Sequence, residues 1–103
     1  MASVRAVLVV FHLPEGSPVA KHRALRRAVY GEDTSSHGGR YRYRRRGVLD
    51  EVRHVRLYWG AVIVKKEEWP RVRRVLDEWG VVHHHRVVEP TAADETALAG
   101  AVG

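Results

Sequence analysis

The chain has 103 residues and a formal net charge of +6, a length that suits one domain with a modest core and excludes a large enzyme with a separate catalytic lobe. The charge is uneven: residues 1–88 hold eighteen Lys and Arg against nine Asp and Glu, a formal charge of +9, whereas residues 89–103 hold three acids and no Lys or Arg. A body this basic attracts polyanions over long distances, and such binding weakens steeply as the salt concentration rises.

The first part of the chain predicts a buried strand, a helix and a loop. Val4 to His12 is apolar almost without interruption, which is typical of a strand buried on both faces in the middle of a sheet. Ser17 followed by Pro18 predicts an N-cap and a first helical residue, for a helix over about residues 18–30 that ends at Gly31. Residues 31–39 are turn formers almost throughout and predict a mobile loop.

The most distinctive stretch is the Arg/Tyr segment, Arg40 to Arg46, in which five arginines and two tyrosines fill seven consecutive positions. We predict that it forms the second strand of the sheet. The alternation of a strand would then place Tyr41, Tyr43 and Arg45 on one face and the other four arginines on the opposite face. Residues 48–55 carry apolar side chains at helical spacing, which predicts a short helical turn or an irregular connector.

The second half predicts a strand, a helix and a further strand. Arg56 to Lys65 is rich in strand-forming residues, with Tyr58-Trp59-Gly60 either inside a strand or at a hairpin corner, and Ala61 to Val64 is predicted to be a strand. A helix follows from Trp69 and ends at Gly80, and its apolar face includes Trp69 and Trp79 as expected core residues. Val81 to Val88 is the last strand. Thr91 with Asp94 resembles a capping box for a weak helix through about residue 101.

This order predicts an α+β fold of the ferredoxin-like β-α-β-β-α-β type, a two-layer sandwich with a four-stranded antiparallel sheet and a short C-terminal helix. We assign residues 1–90 to a single basic domain and residues 91–103 to a weakly helical, acidic and alanine-rich tail. Both main helices would cover one face of the sheet. The other face would pair with a second subunit or carry a ligand, so we expect a homodimer or a higher homo-oligomer.

Alternating arginine and tyrosine combine a cation that pairs with phosphate and a ring that stacks on a base. The leading interpretation is therefore non-catalytic binding of nucleic acid, single-stranded DNA or RNA, with slight sequence preference and no cofactor. The alternative is a purely structural role, in which the tyrosines pack under the helices while the arginines form an ordinary solvated face with surface ion pairs. The candidate binding residues are Arg40, Tyr41, Arg42, Tyr43, Arg44, Arg45, Arg46, Arg53, Arg56, Tyr58 and Trp59.

Two other functions stay open on the sequence. His83 and His85 would share a face of the last strand, but two histidines leave a zinc site short of ligands, and we assign neither metal ligands nor catalytic residues. A metal-dependent nuclease would have to draw its ligands from His12, Asp33, Asp50 or the His83/His85 pair. The remaining possibility is a subunit that docks onto a larger assembly through the open sheet face.

Several residue types are missing, which bears on the source and the compartment. The chain has no Cys, Asn or Gln and far more Arg than Lys, a composition typical of hyperthermophile proteins, although a GC-rich genome also favours Arg over Lys. Without cysteine there is no disulfide or thiolate chemistry. No segment approaches the ~20 apolar residues of a transmembrane helix, so we expect a cytoplasmic protein with no membrane partner. From the composition we expect it to come from a thermophile.

The stretch from Val9 to Glu15, followed by the basic helix and Tyr30-Gly31, resembles the opening of the small CRISPR-associated ferredoxin-like nucleases and related repressor domains. That family carries an aspartate at the end of its first strand for phosphodiester cleavage, where this chain has His12. The whole chain also resembles the small non-OB-fold single-stranded DNA-binding proteins of hyperthermophilic archaea (ThermoDBP-related), through its Cys-free basic composition, the Arg/Tyr segment and the Tyr58-Trp59 pair. This second resemblance implies binding of single-stranded DNA by an archaeal protein.

Overall fold

A computed structural model describes residues 5–36, 38–39 and 41–99. Within those ranges the strands are β1 (Ala6–His12), β2 (Glu32–Ser36), β3 (Tyr41–Arg45), β4 (His54–Tyr58), β5 (Ala61–Lys65) and β6 (Val82–Val88). The helices are α1 (Val19–Tyr30), α2 (Trp69–Glu78) and α3 (Ala92–Leu98). No helix in these ranges is both long enough and apolar enough to cross a membrane.

Four strands form one antiparallel sheet in the order β4-β5-β1-β6. The central position of β1 explains its unbroken apolar sequence, because Val9 pairs with Val62 on one side and His85 on the other. An α+β fold with a four-stranded antiparallel sheet is therefore confirmed. Tyr58-Trp59-Gly60 lies at the hairpin corner between β4 and β5.

The main core lies between this sheet and the first two helices. Alternate residues of β1 and β5 point to the helix side, where α1 contributes Leu25 and Val29 and α2 contributes Trp69, Val72 and Leu76. Trp69 is buried as expected, whereas Trp79 is half-buried at the edge of the core. A 3-10 turn, Val48–Glu51, adds two buried side chains to this core and contacts both helices.

The opposite face of the sheet is only partly open, because α3 packs on one half of it. Thr91 caps α3 by accepting a hydrogen bond from the Asp94 N–H at 3.1 Å, as the spacing predicted. The buried Leu98 then contacts a small second core formed with Ala6 and Ile63. The other half of this face leaves Val10, Val82 and Tyr58 exposed.

The Arg/Tyr segment forms a strand, but the prediction that it is the second strand of the main sheet is wrong. Its described residues form β3, which pairs with β2 in a separate hairpin, and β4 takes the predicted place in the sheet. The prediction of a loop over residues 31–39 is also wrong, because β2 lies within that range. Cross-strand pairing sets Asp33 opposite Arg44, and their side chains form an ion pair that stabilises the hairpin. Glu32 lies opposite Arg45, but its carboxylate pairs with Arg27.

Helix α1 begins one residue later than predicted. Pro18 is the N-cap and makes no side-chain cap, while the Ser17 hydroxyl donates to the Pro14 carbonyl at 2.7 Å. The fixed φ of proline suits either position at a helix start, so sequence alone does not separate them.

Candidate nucleic-acid interface

The β2-β3 hairpin, residues Glu32–Ser36 and Tyr41–Arg45, is joined to the helix side of the domain by Arg44. The Arg44 Nη2 donates to the Tyr30 carbonyl at 2.7 Å and to Asp50 Oδ1 at 2.8 Å, while its Nη1 lies 3.2 Å from Asp33 Oδ1. The Gly47 N–H donates to Asp50 Oδ2 at 2.8 Å. Partial burial of Asp50 opposes its ionisation, yet the hydrogen bonds from Arg44 and Gly47 hold its pKa below the usual value.

Two glycines let the chain pass close to the end of α1 at this junction. Gly31 has φ +77°, a conformation that favours glycine, and its N–H donates to the Arg27 carbonyl at 2.9 Å. A Cβ on Gly47 would lie 2.5 Å from the Val29 carbonyl oxygen, so any larger residue there would displace backbone. The base of the hairpin is therefore fixed against α1 by backbone packing as well as by Arg44.

The rest of β3 faces solvent. Tyr41 is 59% exposed and Tyr43 is 50% exposed, so the tyrosines do not pack under the helices, as a purely structural role would require. Arg42, Arg45 and Arg46 make no ion pair with any carboxylate in the part of the chain that the structure describes, in contrast to Arg44. The described part of the Arg/Tyr segment therefore has one arginine with ion pairs, Arg44, and three without. Of these three, Arg46 donates a hydrogen bond to the Asp50 carbonyl at 3.2 Å.

The hairpin carries a tyrosine with a lowered pKa and a shallow groove beside it. A hydrogen bond with Thr34 and the neighbouring Arg45 guanidinium lower the pKa of Tyr43, because both favour its ionised form. A shallow groove of about 510 Å³ runs beside Arg42 and Tyr43. Its remaining lining is Asp33, Thr34 and Ser35, and Asp33 is already paired with Arg44.

A second aromatic and basic group, the Trp59 cluster, comprises Phe11, Arg26, Tyr30, Arg56 and Trp59. The Trp59 ring centroid lies 5.3 Å from that of Tyr30 and 5.8 Å from that of Phe11. The Arg26 guanidinium lies over Trp59 at 5.1 Å, and that of Arg56 lies over Tyr30 at 4.1 Å, both within the range of cation–π attraction. The Tyr30 hydroxyl accepts from the Gly60 N–H at 3.1 Å, which fixes the cluster at the β4-β5 corner.

A groove of about 240 Å³ beside this cluster is lined by Val19, His22, Arg23, Arg26 and Trp59. It has three basic side chains, one exposed aromatic edge and no carboxylate in its lining. Sequence analysis did not assign His22, Arg23 or Arg26 to the site. Their spacing of three and four residues, which places them on one helix face, is the signal that could have found them.

The structure brings some predicted site residues together and separates others. Arg44 contacts Tyr30, which belongs to the Trp59 cluster, so the hairpin and that cluster adjoin at the end of α1. Tyr58 is 76% exposed and shares the opposite sheet face with Val10, as the strand register requires. Arg53 is exposed just before β4, and Arg40 lies outside the described residues.

The residues available to a metal-dependent nuclease do not converge. Asp33 and Asp50 both bind Arg44, and the His12 Nδ1 lies 2.9 Å from the Leu13 carbonyl. The His83 Nε2 lies 2.8 Å from Asp77 Oδ1, and this hydrogen bond lowers the pKa of Asp77. Across residues 5–36, 38–39 and 41–99 no group of three His, Asp or Glu side chains is placed to hold a metal ion.

Comparison with protein-family profiles, curated proteins and solved structures found no match to this chain. The two resemblances drawn from the sequence therefore stay expectations. The function has to be argued from the geometry of the exposed hairpin and the Trp59 cluster.

Proposed function

We propose that this chain binds single-stranded nucleic acid without catalysis and with little sequence preference, through the exposed hairpin strand β3 and the adjoining Trp59 cluster. The observation that carries the proposal is the state of β3. Both of its tyrosines are at least half exposed, and Arg42 and Arg45 have no carboxylate partner among the described residues. Aromatic residues and arginine are the residue types that are enriched in binding interfaces relative to the rest of the protein surface.

The two residue types act on different parts of the ligand. The guanidinium groups of Arg42 and Arg45 donate paired hydrogen bonds to phosphate oxygens, which every nucleotide presents. Tyr41 and Tyr43 offer ring faces on which bases stack, an interaction worth about 1–3 kcal/mol per base in single-strand binders. Neither contact reads a base edge, so the sequence preference should be slight.

Single strands fit this surface better than duplexes. Bases in a duplex are already stacked on one another, whereas bases in a single strand are free to lie on Tyr41, Tyr43 or the edge of Trp59. The proposal therefore specifies single-stranded DNA or RNA.

Fluorescence anisotropy tests the proposal with labelled single-stranded DNA, single-stranded RNA and the matching duplex, across salt from about 50 to 200 mM. We expect single strands to bind more tightly than the duplex and to lose affinity as salt rises. Replacing Tyr41 and Tyr43 together by alanine should weaken binding about tenfold or more, because two stacking contacts are lost. Tyr58→Ala removes a ring that is even more exposed, on the other sheet face, and is the control. Absence of single-strand binding by the natural chain at about 50 mM salt would overturn the proposal.

We also propose that the main sheet has the ferredoxin-like topology predicted from the sequence. The support is the strand order β4-β5-β1-β6, in which the first and last strands of the sheet are neighbours and the second strand is at the edge. On this view the β2-β3 hairpin is an insertion between α1 and the second sheet strand. Long-range backbone contacts measured by nuclear magnetic resonance test it, since a β1 that pairs with strands other than β5 and β6 would refute it.

A further inference from the structure

A basic groove separates α1 from α2 on the helix side of the domain. The 3-10 turn Val48–Glu51 packs against both helices and holds them apart. Two adjoining depressions of about 400 and 350 Å³ share Ala28, Arg46 and Trp79, so they form one continuous groove. The small side chain of Ala28 and the half-buried ring of Trp79 form its apolar floor.

Arginines dominate the walls of this groove. Five line it, namely Arg27, Arg45, Arg46, Arg71 and Arg74, against the two acids Glu51 and Glu78. Two of the arginines have carboxylate partners, since Arg27 pairs with Glu32 at 2.7 Å and Arg71 with Glu51 at 3.2 Å. Arg45, Arg46 and Arg74 make no ion pair in the described part of the chain. The groove therefore keeps an excess of unpaired positive charge.

The groove is continuous with the hairpin. Arg45 is the last residue of β3 and also lines the groove, and it shares a strand face with Tyr41 and Tyr43 because strand residues alternate. A strand of nucleic acid stacked on the two tyrosines would thus reach the groove past Arg45, beside which the Glu32 carboxylate is already paired with Arg27. The open half of the sheet face offers no such continuous path, since Val10 and Val82 are exposed there and β6 contributes one arginine, Arg86, to that face.

We infer that the groove between α1 and α2 binds the phosphodiester backbone of the same single strand, beyond the nucleotides held by the hairpin. The inference rests on the proposed function and deepens it, because it assigns a path and a length to the ligand. Arg46 and Arg74 contact phosphates, and the apolar floor at Trp79 takes the ribose or base edges that face inward. The complete site then needs an oligonucleotide longer than the hairpin alone can hold.

The test compares two double variants that remove the same charge. Arg46→Gln with Arg74→Gln changes the groove, whereas Arg73→Gln with Arg86→Gln removes two arginines that lie outside it. Each protein is titrated with oligonucleotides of about 6 and about 18 nucleotides, which bracket the usual range of single-strand sites. Circular dichroism melts establish that both variants fold.

Relative to the natural chain, we expect the groove variant to lose more affinity for the long oligonucleotide than for the short one. For single strands each phosphate contact contributes about 0.7 to the slope of log affinity against log salt, so two lost contacts lower the slope by about 1.4. Between about 50 and 200 mM salt the natural chain should then lose roughly sevenfold more affinity for the long strand than the groove variant does. The control variant should keep the natural slope.

The outcomes separate this inference from the proposed function. If the natural chain binds both oligonucleotides with equal affinity, or if the two double variants lose affinity equally, the groove is not part of the path and the inference is overturned while single-strand binding stands. If the natural chain binds neither oligonucleotide, the proposed function itself fails. If an acidic peptide displaces the long strand from the natural chain and the groove variant equally well, the groove is likewise excluded as the binding path.

Discussion

Replacing Leu98 by alanine should destabilise the domain without altering its proposed ligand surface. Leu98 is fully buried, and it is the described α3 side chain that enters the small core formed with Ala6 and Ile63. That core lies on the sheet face opposite the main helices. The hairpin and the groove between α1 and α2 lie on the helix side, so the two regions share no side chain.

The expected loss follows from the position of α3. Truncating a buried leucine to alanine costs about 2–5 kcal/mol in well-packed cores. The helix has seven residues and one buried side chain, so undocking of α3 limits the loss to the lower part of that range, about 2–3 kcal/mol. For a domain of this size, such a loss lowers the melting temperature by roughly 10–20 °C.

Urea titrations and thermal melts followed by circular dichroism measure this loss. Leu57→Ala is the matched control, because Leu57 is 53% exposed and its truncation should cost no more than about 0.5 kcal/mol. Single-strand affinity of the Leu98→Ala protein, measured well below its melting temperature, should equal that of the natural chain. A loss as small as that of the control would mean that α3 is not docked, and a changed affinity would place the ligand on the sheet face.

Three further predictions concern the junction and the open face. Gly47→Ala should destabilise the fold by about 1–3 kcal/mol in urea titrations, because the new Cβ would meet the Val29 carbonyl, and an unchanged midpoint would contradict that packing. Asp50→Asn should lower the melting temperature at pH 7, because the lowered pKa of Asp50 shows that its ionised form stabilises the folded state. This contribution to stability is complete above the unfolded pKa of about 3.9 and is lost as the pH falls through the folded pKa. The difference from the natural chain should therefore disappear in strong acid, and a difference independent of pH would refute this account. The exposed Val10 and Val82 predict self-association through the open sheet face, so Val10→Glu should shift sedimentation from dimer to monomer, and a natural chain that sediments as a monomer throughout would exclude the homo-oligomer.

Periodicity alone predicted the parts of the fold that bury apolar side chains. The unbroken apolar run of β1 indicated a central strand, and the spacing of Trp69, Val72 and Leu76 indicated the buried face of α2. The division of the last strand into two faces was also correct, with His83 and His85 on the helix side against Trp69. These features are local, because burial of one face imposes the spacing on the sequence itself.

The place of the Arg/Tyr segment could not be derived in the same way. Its alternation is compatible with any exposed strand, and the decisive fact is that it offers no aliphatic side chain to a core. The edge strand β4 supplies Val55 to the second core instead, although its sequence alternates less clearly. The partner strand β2 is built from turn-forming residues, and its pairing depends on Asp33 meeting Arg44, which is distant in sequence.

The position of the hairpin changes the relation between self-association and ligand binding. On the sequence alone, both functions compete for one open sheet face. In the structure the Arg/Tyr strand is held at the helix side by Arg44 and Tyr30, while the exposed valines lie on the opposite face. A dimer formed through the sheet would therefore leave both hairpins and both grooves facing outward. A long single strand that reached both copies would bind with a higher apparent affinity than either copy alone, because the second contact becomes intramolecular. Val10→Glu should then weaken binding of long strands while leaving short ones unaffected.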